Sequence, residues 1–189
     1  MKIILASASP RRKELLEKMG FSPIISPTDA DETVKQKLPP NEYVKLLSKR
    51  KSDAYTKALA EDEILISSDT VVAYGDEILG KPKDGADAKR MLEMLSGRVH
   101  CVYTGITVRS NEKSVTDCDC TEVIFRRMSE DEIDSYIAGG EPMDKAGAYA
   151  IQGSGGRFVV ATNGSTDNVI GLPTELLLQI LETEFKRFI

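Results

Sequence analysis

The sequence predicts an α/β fold built around one elongated central mixed β-sheet flanked by helices. Two observations carry that expectation. Apolar or alternating runs of strand length take turns with amphipathic runs of helix length, and glycine or proline punctuates nearly every change. A third bounds it: 189 residues with 41% hydrophobic and 29% charged content suit a single domain over 1–189 with a buried core of its own.

The elements follow in order. "KIILAS" reads as a short strand, and Arg11 to Met19 as a helix closed by Gly20. "FSPIISP" reads as a second strand ended by Pro27, and "TDADETV" as an acidic loop. A long helix begins near Asn41 and runs through "YVKLLSKRKSDAYTKALA", with Val44, Leu47, Ala54 and Ala58 near helical spacing. "EILISSDTVVAYGDEIL" reads as a buried strand that ends at Ser68-Asp69-Thr70, then a second strand with a hairpin around "YGDE". A helix from about Asp84 to Leu95 follows, capped by Gly97. "RVHCVYTGITVRS" and "SVTDCDCTEVIFRRM" alternate as paired strands. "SEDEIDSYIAGG" is a helix, and Ser129 with Glu132 three residues later forms a capping box. "EPMDKAGAYAIQGSGGRFVVATNGS" reads as loop, strand, glycine turn and strand, and Pro173 opens the closing helix.

Charge and cysteine content narrow the function classes. A net charge of −5 argues against stable nucleic-acid binding, so any anion site must be local. Three cysteines without CxxC or CxxH spacing argue against a disulfide framework or a structural zinc site and fit a reducing cytoplasm. The apolar start is too short for a signal peptide, and no run is long enough to span a membrane.

Several stretches carry chemistry. In "LASASPRRKELL" a small-residue turn leads into a helix whose first turn holds Arg11 and Arg12. Helix starts favour acidic residues, so two arginines there need an anion to offset them; the alternative is a solvated basic face. Asp69 in "LISSDTVV" sits where it would hold a divalent ion or orient a water, or else close the strand in an Asx turn. Asp29, Asp31 and Glu32 in "DADE" are oxygen donors suited to a hard cation. Lys51 lies on a helix beside Lys49 and Arg50, and Lys81 sits in a turn between glycine and proline. "DKAGAYAIQGSGG" brings Lys145 and Gln152 among glycines, and an amide that both donates and accepts can read the edge of a base. His100, the only histidine, reads as structural. Arginines, lysines, carboxylates and glycine turns together suit a phosphorylated substrate with a divalent metal.

Six ordered blocks, "LASASPRRKELL", "SSDTVV", "GKPKD", "LSGRVHCVYTGITV", "EPMDKAGAYAIQG" and "VIGLP", resemble the Maf family of nucleoside triphosphate pyrophosphatases, historically called septum formation proteins. The resemblance implies an elongated, ITPase-like α/β fold in two lobes with a cleft, often as a homodimer. It implies hydrolysis of a nucleoside triphosphate at the α–β phosphoanhydride bond, with Mg²⁺ or Mn²⁺. By resemblance Asp69 matches the catalytic base and a metal ligand, and Glu32 a second metal-side carboxylate. Ser7, Arg12, Lys51 and Lys81 match the phosphate site. Arg11, Thr70 and Gln152 match the three positions linked to substrate choice, and all three follow the branch that prefers dTTP and UTP, with modified pyrimidines as further candidates. Ala150 departs from the usual glycine and Thr166 from a common aromatic. A house-cleaning role and a cell-division link come with the family. The alternative is a non-enzymatic, nucleotide-binding regulator of septum formation; a nucleotidyltransferase would share the phosphate chemistry but need a second substrate.

Overall fold

The computed structural model describes residues 1–188. Among the described residues seven strands and six helices follow in the order β1 (Lys2–Leu5), α1 (Pro10–Lys18), β2 (Ile24–Ile25), α2 (Pro40–Asp53), β3 (Glu63–Tyr74), β4 (Glu77–Leu79), α3 (Gly85–Leu95), β5 (Val99–Arg109), β6 (Ser114–Phe125), α4 (Glu130–Ala138), β7 (Val159–Asn163), α5 (Thr166–Ile170) and α6 (Thr174–Glu184). Single 3₁₀ turns cover Glu141–Asp144, Ala146–Ala148, Ser154–Phe158 and Lys186–Phe188. The strands form one mixed sheet in the order β2-β1-β3-β5-β6-β7, with β4 on β3. β1 pairs in parallel with β2 and β3, while β3–β4 and β6–β7 are antiparallel. The fold is α/β with helices flanking a mixed sheet, as the alternation of patterns requires.

Two compact units emerge. One holds residues 1–69, 104–119 and 171–188; the other holds 70–103 and 120–170. In the first, Ile3, Leu5, Leu15, Leu16, Ile64, Leu65, Ile66, Leu177 and Leu181 are almost fully buried. At Gly105 the backbone carbonyl of Val44 lies so close that a Cβ would collide with it, so α2 rests directly on β5. Hydroxyls fix the same contact: Ser48 Oγ and Thr107 Oγ1 are 3.0 Å apart, and Thr107 Oγ1 meets Thr116 Oγ1 at 2.9 Å. The second unit closes over Leu79, Leu92, Leu95, Val102, Val123, Phe125, Ile133 and Phe158.

Four local expectations are corrected. Strand β3 does not end at Asp69 but runs unbroken from Glu63 to Tyr74. The polar residues need no turn because partners outside the strand meet them: Ser67 donates to the Ser48 carbonyl at 2.7 Å and Ser68 to the Gly171 carbonyl at 3.1 Å. Helix α2 stops at Asp53. Beyond it Tyr55 and Leu59 turn in to pack on Ile4, Ala6 and Leu65, and the Tyr55 carbonyl accepts from Arg109 at 2.8 Å. No strand forms across "KAGAYAIQ": Gly147 and Ala148 have φ of 66° and 60°, the left-handed region that interrupts an extended chain. A Cβ on Gly147 would lie 2.7 Å from Val72, and its N–H donates to the Gly80 carbonyl at 3.0 Å. Strand β2 is reduced to Ile24–Ile25, and a short helix, α5, forms where no helical pattern stands out in the sequence.

Candidate active site

Helix α1 begins as the small-residue turn suggested. Ser9 is its N-cap, its hydroxyl accepting from the Arg12 N–H, and Pro10 occupies the first turn. Arg12 is directed back along the chain: its Nε donates to the Gly171 carbonyl at 2.9 Å and its Nη1 to Ser7 Oγ at 3.1 Å. Burial lowers the Arg12 pKa, the negative charge of Asp69 opposes that shift, and neighbouring Arg11 adds to it. The Gly171 carbonyl therefore holds both Arg12 and Ser68, and Gly171 reaches this position with φ of 126°. Nothing in "VIGLP" announces this role, because a backbone carbonyl leaves no mark in residue type.

Helix α2 sorts its three consecutive basic residues by partner. Lys49 turns to Asp53 at 2.8 Å along its own helix. Arg50 donates to the carbonyls of Asp31 and Thr33 at 3.0 and 2.8 Å, and so holds the acidic loop against the helix. Thr28 adds a bond to the Lys51 carbonyl at 2.9 Å. Lys51 points to the strand: its ammonium lies 2.5 Å from Asp69 Oδ1 and 3.0 Å from Glu32 Oε1. Asp69 is 7% exposed, so this contact is shielded from water, whereas the Glu32 side chain is largely open to solvent. Tyr43, two turns earlier on α2, senses the same acids: burial raises its pKa first, and Asp69 and Glu32 raise it further.

The first unit thus brings together Ser7, Arg12, Glu32, Lys51 and Asp69. The geometry fits a Mg²⁺ or Mn²⁺ ion in one respect and limits it in another. Asp69 and Glu32 are two oxygen donors that share one ammonium, a donor set suited to a hard cation. Among the described residues no group of three or more His, Cys, Asp or Glu side chains is close enough to hold a metal alone. Asp69 and Glu32 would hold such an ion only with further ligands from outside the protein.

Arg11 is half-buried in the first turn of α1, in the first unit, and the second unit carries the remaining candidates. Thr70 is half-buried, directly after Asp69 in the strand, and Lys81 and Gln152 are exposed. Lys145 is paired with Asp144. The Gly147–Gly80 backbone bond ties the "LGK" turn to the "KAG" turn, and so joins the segments that carry Lys81 and Lys145. His100 is structural: it is 2% exposed, its Nε2 lies 2.8 Å from the Tyr149 hydroxyl, and its ring meets Phe125 edge-on.

Comparison with known proteins places this arrangement. The model of the Maf-like protein family matches residues 2–184. The chain belongs to the Maf-like family. A Maf-like relative from Anaeromyxobacter dehalogenans, named dTTP/UTP pyrophosphatase, is 47% identical over 176 residues, 91% of this chain and 88% of that protein. A protein of the same name from Bacillus cytotoxicus is 46% identical over 183 residues, 96% of this chain and 94% of that protein. The solved structure of the Staphylococcus aureus Ham1 protein shares the fold, with a TM-score of 0.53 at 15% identity over 97% of this chain and all of that one. No described helix of this Maf-like chain is long and apolar enough to cross a membrane.

Proposed function

We propose that this Maf-like protein hydrolyses dTTP and UTP to the nucleoside monophosphate and pyrophosphate. The observation that carries the reading is the contact of Lys51 with both Asp69 and Glu32. A shielded carboxylate held by an exchangeable ammonium, beside an arginine fixed by Ser7 and the Gly171 carbonyl, is an apparatus for a polyanion. The names of the relatives that match nearly the whole chain support the substrate class.

In this mechanism Asp69 takes a proton from a water that attacks the α-phosphorus. The bond from that phosphorus to the α–β bridging oxygen breaks, and pyrophosphate leaves with the electron pair. Lys51, freed from Asp69 as the substrate arrives, and Arg12 offset charge that builds on the phosphate oxygens, which is where phosphoryl enzymes gain most of their rate. Ser7 keeps Arg12 in place from one side and the Gly171 carbonyl from the other. By resemblance to the family, Lys81 is assigned to the phosphate side, Lys145 to substrate binding, and Arg11, Thr70 and Gln152 to the choice of base. Asp69 and Glu32 would hold the divalent ion, which when bound supplies further neutralisation of phosphate charge. Three free cysteines suit a reducing cytoplasm as the place of this activity.

The test is a panel of single nucleoside triphosphates with Mg²⁺, assayed separately for pyrophosphate and orthophosphate. Pyrophosphate from dTTP or UTP, equal in amount to the monophosphate, is the expected result. Binding of these nucleotides with no product would favour the regulator reading.

A further inference from the structure

Glu141 lies outside every residue assigned above, yet its carboxylate accepts four hydrogen bonds. Oε1 accepts from the Tyr136 hydroxyl at 2.8 Å and from the Gly155 N–H at 3.1 Å. Oε2 accepts from the Ser154 N–H at 2.9 Å and the Ser154 hydroxyl at 2.8 Å. The Tyr136 oxygen accepts in turn from the Ala150 N–H at 3.3 Å. One carboxylate and one phenol therefore hold residues 150, 154 and 155, on both sides of Gln152.

The packing leaves no slack. A Cβ on Gly153 would collide with the Glu141 carboxylate, and one on Gly155 would lie 2.5 Å from the Tyr136 oxygen. The Gly153 N–H closes the turn onto the Ala150 carbonyl at 3.3 Å. Tyr136 is itself fixed, 3% exposed and edge-on to Phe158 at 5.2 Å. Burial pushes the Glu141 carboxyl up, but the bonds from Gly155 and Ser154 outweigh it and hold the group down at about 2. At neutral pH Glu141 is a permanent acceptor with no proton to give. Gln152 stands exposed on the crest of this turn.

We propose that Glu141 and Tyr136 are positioning residues for base selection: they hold the 150–155 turn so that Gln152 presents its amide to the base in one place. The inference rests on the reading of Gln152 as a base-selecting residue. Its physical ground is the two-sidedness of an amide. Uracil and thymine offer an N3–H donor beside a C4 carbonyl acceptor, whereas cytosine offers an N3 acceptor beside an amino donor. A carboxamide matches either edge by turning over. Turning over needs no backbone movement, so discrimination comes from surroundings that favour one orientation of the amide; holding the turn keeps the amide in those surroundings, and a displacement of about an ångström is enough to lose the distinction.

The test is steady-state kinetics with UTP and CTP on the wild type, Gln152→Ala, Tyr136→Phe, Glu141→Gln and the double variant Gln152→Ala with Tyr136→Phe. Each of Tyr136→Phe and Glu141→Gln is expected to lower the UTP-over-CTP ratio of kcat/KM by about tenfold, chiefly through the KM for UTP. Gln152→Ala should lower it at least as far, and the double variant no further than Gln152→Ala alone. If Gln152→Ala collapses the ratio while Tyr136→Phe leaves it unchanged, the positioning role is overturned, whatever happens to thermal stability. If Gln152→Ala leaves the ratio unchanged, the base-selecting role of Gln152 falls, and the inference with it. Tyr136→Phe removes one oxygen from a packed ring, so it decides the matter even if Glu141→Gln does not fold.

Discussion

Asp69 and Glu141 are two carboxylates drawn into the fold, and the chain holds them in opposite ways. Glu141 is bonded by the N–H groups of Ser154 and Gly155 and by two hydroxyls fixed nearby. The two main-chain donors cannot leave without unfolding the loop. Asp69 is bonded by the ammonium of Lys51, at the end of a long flexible side chain that also reaches Glu32. That ammonium can turn to a phosphate without moving any backbone. A carboxylate closed off by main-chain donors stabilises a shape; one that faces an exchangeable cation is kept for chemistry.

This contrast breaks most sharply at the lysine. Lys51→Met is expected to lower dTTP turnover by about 10²–10³-fold, because on the proposed mechanism it removes a charged contact to the reacting phosphate, while the melting temperature moves by only a few degrees. Steady-state kinetics and a melting curve on one preparation check both halves. Moving the helix instead of the charge should give a smaller, mixed effect. Gly105→Ala places a methyl group against the Val44 carbonyl, so α2 must shift; a stability loss of about 1–3 kcal/mol is expected, with turnover falling as Lys51 is displaced. Urea unfolding reads the first and turnover the second.

On the Glu141 side the expected loss is in stability. Glu141→Gln replaces an acceptor oxygen facing Ser154 with an amino group, and a decrease of about 1–3 kcal/mol at neutral pH is expected by urea unfolding. The pH dependence sharpens the point. The Glu141 carboxyl is held at about 2 against an ordinary 4.5, so its stabilisation is complete above pH 4.5 and lost as the pH falls toward 2. The stability gap between wild type and Glu141→Gln should therefore close over that range. A further pH effect belongs to His100, whose burial holds its pKa at about 4 rather than 6.5. The folded chain keeps this imidazole neutral, so that contribution is present above pH 6.5 and lost toward pH 4. His100→Asn should flatten the slope of stability against pH in that interval.

What could be read in advance follows the range of the interaction. The Ser129–Glu132 capping box spans three residues, was legible in the sequence, and forms with both bonds in place. The alternation of strand and helix patterns likewise led to the mixed sheet. Misread elements are those where distant partners overrule local preference. Ser68 and Asp69 look like the end of a strand only while their partners, Gly171 and Lys51, are unknown. The left-handed step at Gly147 and Ala148 answers to Val72 and Gly80, which no local pattern announces. Residue types at the candidate site were legible, because phosphate chemistry needs cations and carboxylates. Their assembly was not: Arg12 and Gly171 meet across 159 residues of sequence.

The central claim is that Asp69 is held for the substrate and not for the fold. Asp69→Asn tests it directly, with pyrophosphate release from dTTP and thermal unfolding measured on the same sample. A fall in turnover of about 10²–10³-fold or more, with the melting temperature within a few degrees of wild type, is the result expected. Near-normal pyrophosphate release from the folded variant would contradict it.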